Sequence, residues 1–212
     1  MITLAIDTCL GACSVAIVEG DHVLAAASEP MTRGHQERLA PMTEQVMRTA
    51  GVGFSAVDRI GVTVGPGSFT GLRVGLAFAK GLALALNRPC VGVGSLEALA
   101  AGLTQDGLRA AVIDAGRGRV FVQIFEGETP IVAPDSLEIA TAAARLAELV
   151  QAGDLTLTGP GAALLSGAAA GARVIDQAAP AAAVVARLAA RAAITPPRPL
   201  YLRAPDAKPK AA

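Results

Sequence analysis

Aromatic side chains are scarce: the 212 residues include five phenylalanines, one tyrosine and no tryptophan, 3% in all. Net charge is lacking as well, because 18 basic residues balance 18 acidic ones. A surface that grips nucleic acid unaided needs a positive field for phosphates and flat rings on which bases stack. With neither evident, a free-standing nucleic-acid binder is not expected, and nucleic acid, if involved, is handled with help. Histidine is limited to His22 and His35, so the i, i+4 histidine pair with an acid that a zinc peptidase uses is missing. No serine stands in a G-x-S-x-G turn.

The three cysteines, Cys9, Cys13 and Cys90, are odd in number, and two share a short segment with no histidine close by. They read as reduced thiols of a cytosolic chain rather than a disulfide or a zinc site, with Cys90 a small core residue. The start MITLAIDTCL has no basic leader and its apolar run breaks at Asp7, so no signal peptide is expected. The longest apolar segment, residues 72–86, is short for a bilayer and carries Arg73 and Lys80. No membrane contact is expected, and the cytoplasm is the expected location.

Against these absences, 52% of the chain is apolar, ample for a large core or two small lobes. Residues 4–21, LAIDTCLGACSVAIVEGD, align without a gap on residues 111–128, AVIDAGRGRVFVQIFEGE. Seven positions agree, among them Asp7 with Asp114 and Gly11 with Gly118. Each copy reads as an apolar strand, an acid, a glycine-bearing turn and an alternating strand, the pattern of a hairpin. Later in each half an apolar strand closes on Gly-Pro-Gly, at 65–67 and at 159–161. Two elements recurring in order predict a duplicated α/β chain of two related lobes.

Helical patterns lie between these elements. Leu39, Met42, Val46 and Ala50 share one face, with Gly51 as the stop. Residues 95–103 begin with Ser95 as the expected N-cap. Further helices are predicted over 136–150 and 180–193, and residues 196–212 form a proline-rich, locally basic tail. The expected division is an N-terminal lobe over 1–103, a C-terminal lobe over 104–195 and the tail.

The stretch GPGSFTGLRVG (65–75) hands a strand to a helix capped by Ser68 or Thr70. A helix N-terminus can hold an anion, but no P-loop lysine follows and the dinucleotide fingerprint is matched only nominally. Gly71, Gly75, Ala79 and Ala83 recur every four residues, a stripe suited to close approach by another element. Two accounts stay open: a helix buried in its own lobe, or one covered by a second chain. Asp7 and Asp114 likewise have two readings, facing each other across a cleft to hold a metal–phosphate with help from Thr8 and Ser14, or capping their own turns. His35 opens a helix, where a solvated or capping role is expected.

The stretches LAIDT (4–8), GHQERLAPM (34–42), VGPGSFTGLRVGLAFAKGLA (64–83), VGVGSLEALA (91–100), AVIDAGRGRVF (111–121) and PLYLRAP (199–205) resemble the TsaB family, formerly called YeaZ, over nearly the whole chain. The resemblance implies the duplicated actin/Hsp70/sugar-kinase (ASKHA) fold. It also implies a non-catalytic, dimerising subunit that works with TsaD and the ATPase TsaE. TsaD is the metal-carrying subunit that transfers threonylcarbamoyl to the adenosine beside the tRNA anticodon. ATP and Mg are then used by the complex, with no cofactor expected on this chain.

The same resemblance places the TsaD contact on the helices at 35–50 and 70–86. The expected partner interface is therefore Leu39, Met42, Val46, Gly71, Leu72, Gly75, Leu76 and Ala79, and an isolated chain is expected to form a homodimer. Asp7, Thr8, Ser14, Asp114, Gly159 and Gly161 are expected to be a degenerate nucleotide site. One departure stands out: the family runs Asp-Ala-Arg and then a Glu before Val-Tyr, whereas this chain has Gly116 after Asp114 and Ala115, and Arg119 in place of the acid before Val120 and Phe121. Two other classes compete: a phosphotransferase of the sugar-kinase type using Asp7 and Asp114, and a metallopeptidase, which the histidine count opposes.

Overall fold

Both halves of the chain fold into the same five-stranded pattern in the computed structural model, which describes residues 1–203 apart from 153 and 168. In the first half, β1 (Ile2–Asp7), β2 (Ala12–Glu19) and β3 (His22–Pro30) form an antiparallel meander. After α1 (His35–Ala50), β4 (Arg59–Thr63), α2 (Phe69–Leu86) and β5 (Cys90–Val93) complete the sheet in the order β3-β2-β1-β4-β5. The two added strands run parallel to β1. The second half begins after α3 (Ser95–Ala101). It contains β6 (Leu108–Gly116), β7 (Arg119–Glu126), β8 (Thr129–Glu138), α4 (Ile139–Ala152), β9 (Leu155–Thr158), β10 (Arg173–Ile175) and α5 (Ala182–Arg191). Its order is β10-β9-β6-β7-β8, the first order read from the other edge. The aligned repeats are the two hairpins β1–β2 and β6–β7, with Asp7 opposite Ser14 and Asp114 opposite Val120.

The sheet of the first half is apolar on both faces because helices cover both. On one face Leu4, Ile6, Val15 and Ile17 meet Leu39, Met42 and Val46 of α1 and Leu72, Leu76 and Ala79 of α2. On the other, Ala5, Val18, Val91 and Val93 meet Val185, Ala186 and Ala189 of α5. Gly61 lets α5 come close: a Cβ there would lie 2.6 Å from the Ala189 Cβ. The Arg59 guanidinium then donates to the Ala189, Ala190 and Ala192 carbonyls at 2.6, 3.0 and 2.9 Å, closing the negative end of α5.

The expected division at 103/104 is therefore crossed in both directions. α5 lies within 104–195 yet covers the first sheet, and Leu96, Leu99 and Ala100 of α3 pack on Ala111, Ile113, Phe121 and Phe125 of the second. Linear boundaries fail because each sheet borrows a helix from the other half to bury its second face.

Local signals are met in part. Gly51, at φ +67°, ends α1, and Ser68 caps α2 by accepting the Gly71 N–H at 3.2 Å. Ser95 is not a cap: Gly94 takes that position and Ser95 is buried. The helix expected from residue 136 starts at Ile139, because Ser136 and Glu138 still pair with Phe121 and Arg119 of β7. His35 is buried rather than solvated, and Cys90 is half-buried on an edge strand rather than in the core. α2 is 18 residues long, and by length and composition alone reaches the range of a bilayer-crossing helix. Its small-residue face is nevertheless packed on the sheet. Most of the tail, 204–212, lies outside the described residues.

Candidate functional site

Each Gly-Pro-Gly loop packs on the hairpin of its own half, and the first loop, the first hairpin turn and the end of β6 line one cleft between the lobes. Asp7 accepts the backbone N–H of Cys9 at 3.1 Å, and Asp114 accepts that of Gly116 at 2.7 Å, the same i, i+2 turn in both copies. The capping reading of the acids is therefore the one the fold uses. Their surroundings differ sharply. Asp114 is exposed and lines the cleft, whereas Asp7 is fully buried and takes the Thr63 hydroxyl on Oδ1 at 2.6 Å. Burial pushes the Asp7 carboxyl up to about 6, although the Thr63 hydroxyl and the Cys9 and Thr8 N–H groups pull it back. Its Oδ2, and the Ser14 Oγ across the same rung, have no hydrogen-bond partner.

Of the two readings, the one in which Asp7 and Asp114 face each other across a cleft is not the one the fold uses, because the Asp7 carboxylate lies inside the lobe. Thr8 is also committed internally, its hydroxyl donating to the Gly71 carbonyl at 2.7 Å. Gly67 and Gly71 press α2 and its lead-in loop onto the backbone of Cys9 and Thr8, and Gly75 lies against the Thr8 hydroxyl, with no room for a Cβ at any of the three. The second copy repeats the device. Gly159 sits at φ +101°, and a Cβ on Gly161 would lie 2.7 Å from the Asp114 nitrogen. Above the first turn, a Cβ on Gly11 would meet the Ala178 carbonyl at 3.6 Å. Asp7, Thr8, Ser14, Gly159 and Gly161 therefore serve packing, and these residues do not fit a nucleotide–metal group. Among the described residues no group of three or more His, Cys, Asp or Glu could hold a metal ion.

The expected partner interface needs a second correction. Leu39, Met42, Val46, Gly71, Leu72, Gly75, Leu76 and Ala79 are all buried against the chain's own sheet. The apolar periodicity marked the face that the fold itself consumes. The opposite face of α2 is the open one: Phe69, Arg73, Ala77, Gly81, Leu84 and Ala85 are exposed, Leu84 at 84%. Beside it, α1 presents Glu37, Ala40, Pro41 and Glu44 to solvent.

A cleft of about 680 Å³ separates the lobes. Cys9 to Gly11 and Pro66 to Phe69 form one wall, Ile113 to Ala115 with Phe121 the other, and Leu200 to Arg203 cross it. Sequence reasoning missed this last segment as part of any site, although it had singled out PLYLRAP as a motif. Phe69, Phe121 and Tyr201, half of the chain's six aromatic residues, line this one cleft.

Two five-stranded sheets of equal topology about a cleft define the duplicated ASKHA fold. The ROK hexokinase of Thermus thermophilus matches at a TM-score of 0.55 with 14% identity over 90% of this chain and 98% of that one, a likeness of fold alone. A family model described as "TsaD: tRNA N6-adenosine threonylcarbamoyltransferase" matches residues 28–149. The Escherichia coli (strain K12) tRNA threonylcarbamoyladenosine biosynthesis protein TsaB is 39% identical over 121 residues, 56% of this chain and 52% of that protein. That match spans about half the length of the curated relative. The crystal structure of YeaZ from Pseudomonas aeruginosa superposes with a TM-score of 0.79 at 30% identity, covering 95% of this chain and 99% of that one. The chain belongs to the TsaB (YeaZ) family.

Proposed function

We propose that this chain is a non-catalytic subunit in the formation of threonylcarbamoyladenosine beside the tRNA anticodon, docking TsaD through the outward face of α1 and α2 and acting with TsaE. The observation that carries this reading is the exposed α2 strip around Leu84, an apolar side chain 84% open to solvent next to Ala77, Gly81 and Ala85. Small residues on such a strip let a partner helix approach closely, and an exposed leucine supplies the anchor. The TsaD family model spans both helices, so the transferase carries related elements that can meet them face to face. In isolation the same strip pairs two copies of this chain. The location is the cytoplasm, tRNA is reached through the complex, and ATP and Mg are handled by the other subunits.

Catalysis by this chain is disfavoured because Asp7 and Thr8 are spent inside the fold. The test is reconstitution with tRNA. The chain alone neither hydrolyses ATP appreciably nor modifies tRNA, and modification appears when TsaD, TsaE and threonylcarbamoyl-adenylate are added. Transfer by the chain alone, or full transfer by TsaD and TsaE without it, overturns the proposal.

A further inference from the structure

We propose that residues 200–203 are a releasable strap across the cleft between the lobes, a contact carried by the chain itself. The segment touches both lobes in four residues. The Leu200 N–H donates to the Val64 carbonyl just after β4, 2.7 Å away. Three residues later, the Arg203 guanidinium donates to the Ala115 carbonyl near the end of β6 at 3.1 Å. Between them Leu202 packs into the apolar cluster of Leu96, Leu99, Ile113 and Phe121, beside Leu10 of the first turn. Tyr201 points the other way, its ring centroid 5.6 Å from that of Phe69, and the Arg73 guanidinium lies 3.7 Å over the far ring.

The seat is shaped for this segment. Gly65 stands at φ +98°, where a Cβ would lie 3.0 Å from the Leu200 carbonyl. A Cβ on Gly92 would meet that of Pro197 at 3.2 Å. The hold is nonetheless light. The strap forms no helix or strand, Tyr201 is 47% exposed, and Leu202 is half-buried. A segment with no strand pairing along its length and a half-exposed ring opens at lower cost than the sheets beneath it. Release removes one wall of the cleft and uncovers Leu10, Ile113 and Phe121, without breaking any pairing within either sheet.

Tyr201 is the chain's single tyrosine and there is no tryptophan, so tyrosine emission reports the strap alone. The full chain is compared with Leu202→Asp, which places a charge in the apolar cluster, and with Arg203→Ala, which removes the guanidinium and its bond to the Ala115 carbonyl. Three signals are read: acrylamide quenching of tyrosine, emission of the apolar dye ANS, and peptide-resolved amide exchange. Release takes Tyr201 from about half to full exposure, so quenching rises about twofold. ANS emission rises several-fold, and exchange quickens over 64–69, 113–116 and 200–203 while the central strands keep their protection. Arg203→Ala shifts the same signals in the same direction by less. Unchanged quenching and dye binding in folded variants overturn the proposal. So does exchange that rises across both sheets, which would make the segment an ordinary part of the core. If Leu202→Asp does not fold, Arg203→Ala decides by the same criteria. No partner is needed, so the outcome is independent of the proposed docking of TsaD.

Discussion

The Thr8 hydroxyl donates to the Gly71 carbonyl at 2.7 Å, and Gly75, one turn further along α2, lies directly against that hydroxyl. A glycine inside a helix costs about 1 kcal/mol relative to alanine. Here the cost purchases contact between a helix and the turn it covers. Gly75→Ala is expected to destabilise the chain by about 1–3 kcal/mol through overpacking. With Thr8→Ala as the second mutation, the obstructing hydroxyl is gone and the penalty at position 75 shrinks. A double-mutant cycle from urea melts measures the coupling. Additive effects would show that Gly75 is needed for some reason other than Thr8.

This contact also shows what the sequence could and could not reveal. Period-two hairpins, the recurring Asp and the two Gly-Pro-Gly loops were legible, and from them the duplication and the α/β class. The stripe Gly71, Gly75, Ala79 was legible as a close-packing face, but its partner was not, because periodicity marks a face for burial without saying against what. Here the strand–turn beneath it, in the same lobe, fills that role. Leu84 was invisible for the converse reason: an exposed leucine on an apolar helix looks like any core leucine until the sheet is placed. The exchange of α3 and α5 between lobes depends on long-range packing that no local pattern encodes.

Asp7 gives the chain a pH dependence of stability with a definite sign. Its pKa rises from 3.8 in the unfolded reference to about 6 in the fold, so the folded state holds the proton more tightly. The protonated form contributes its stability fully below about pH 4, and this is lost as the pH rises through about 6. At neutral pH the buried charge costs about 3 kcal/mol. Asp7→Asn retains an oxygen for Thr63 and Cys9 and removes the charge. It should stabilise the chain by about 1–3 kcal/mol at pH 8, less whatever the unpaired amide N–H costs, and by close to nothing at pH 4. Urea midpoints at the two values test this, and an equal difference at both would remove the charge from the explanation.

The thiols should be poor nucleophiles in the native state. Burial pushes Cys9 up to about 12, with the Asp7 charge adding to the shift, and pushes Cys13 and Cys90 up to about 11. Cys90 is the only one of the three with partial exposure. Iodoacetamide at pH 8 is expected to modify Cys90 slowly, and Cys9 and Cys13 only through unfolding, with all three reacting promptly in urea. Peptide mapping over time distinguishes them. Rapid native modification of Cys9 would contradict its place beneath the first turn.

Leu84 separates docking from folding. It is 84% exposed and makes little use of the core, so Leu84→Arg should leave the unfolding free energy within about 0.5 kcal/mol of the parent. Placed at the centre of the proposed contact, the same charge must be desolvated against an apolar partner face. A loss of about 2 kcal/mol or more is expected, some thirtyfold in affinity for TsaD. Calorimetric titration of TsaD measures it, and sedimentation of the isolated chain shows whether self-association weakens in parallel. Arg173→Ala, exposed on β10 of the second sheet and away from both helices, serves as the control for a simple change of surface charge. If Leu84→Arg binds TsaD as the parent does while remaining folded, the outward face of α2 is not the docking surface, and the partner meets this chain elsewhere.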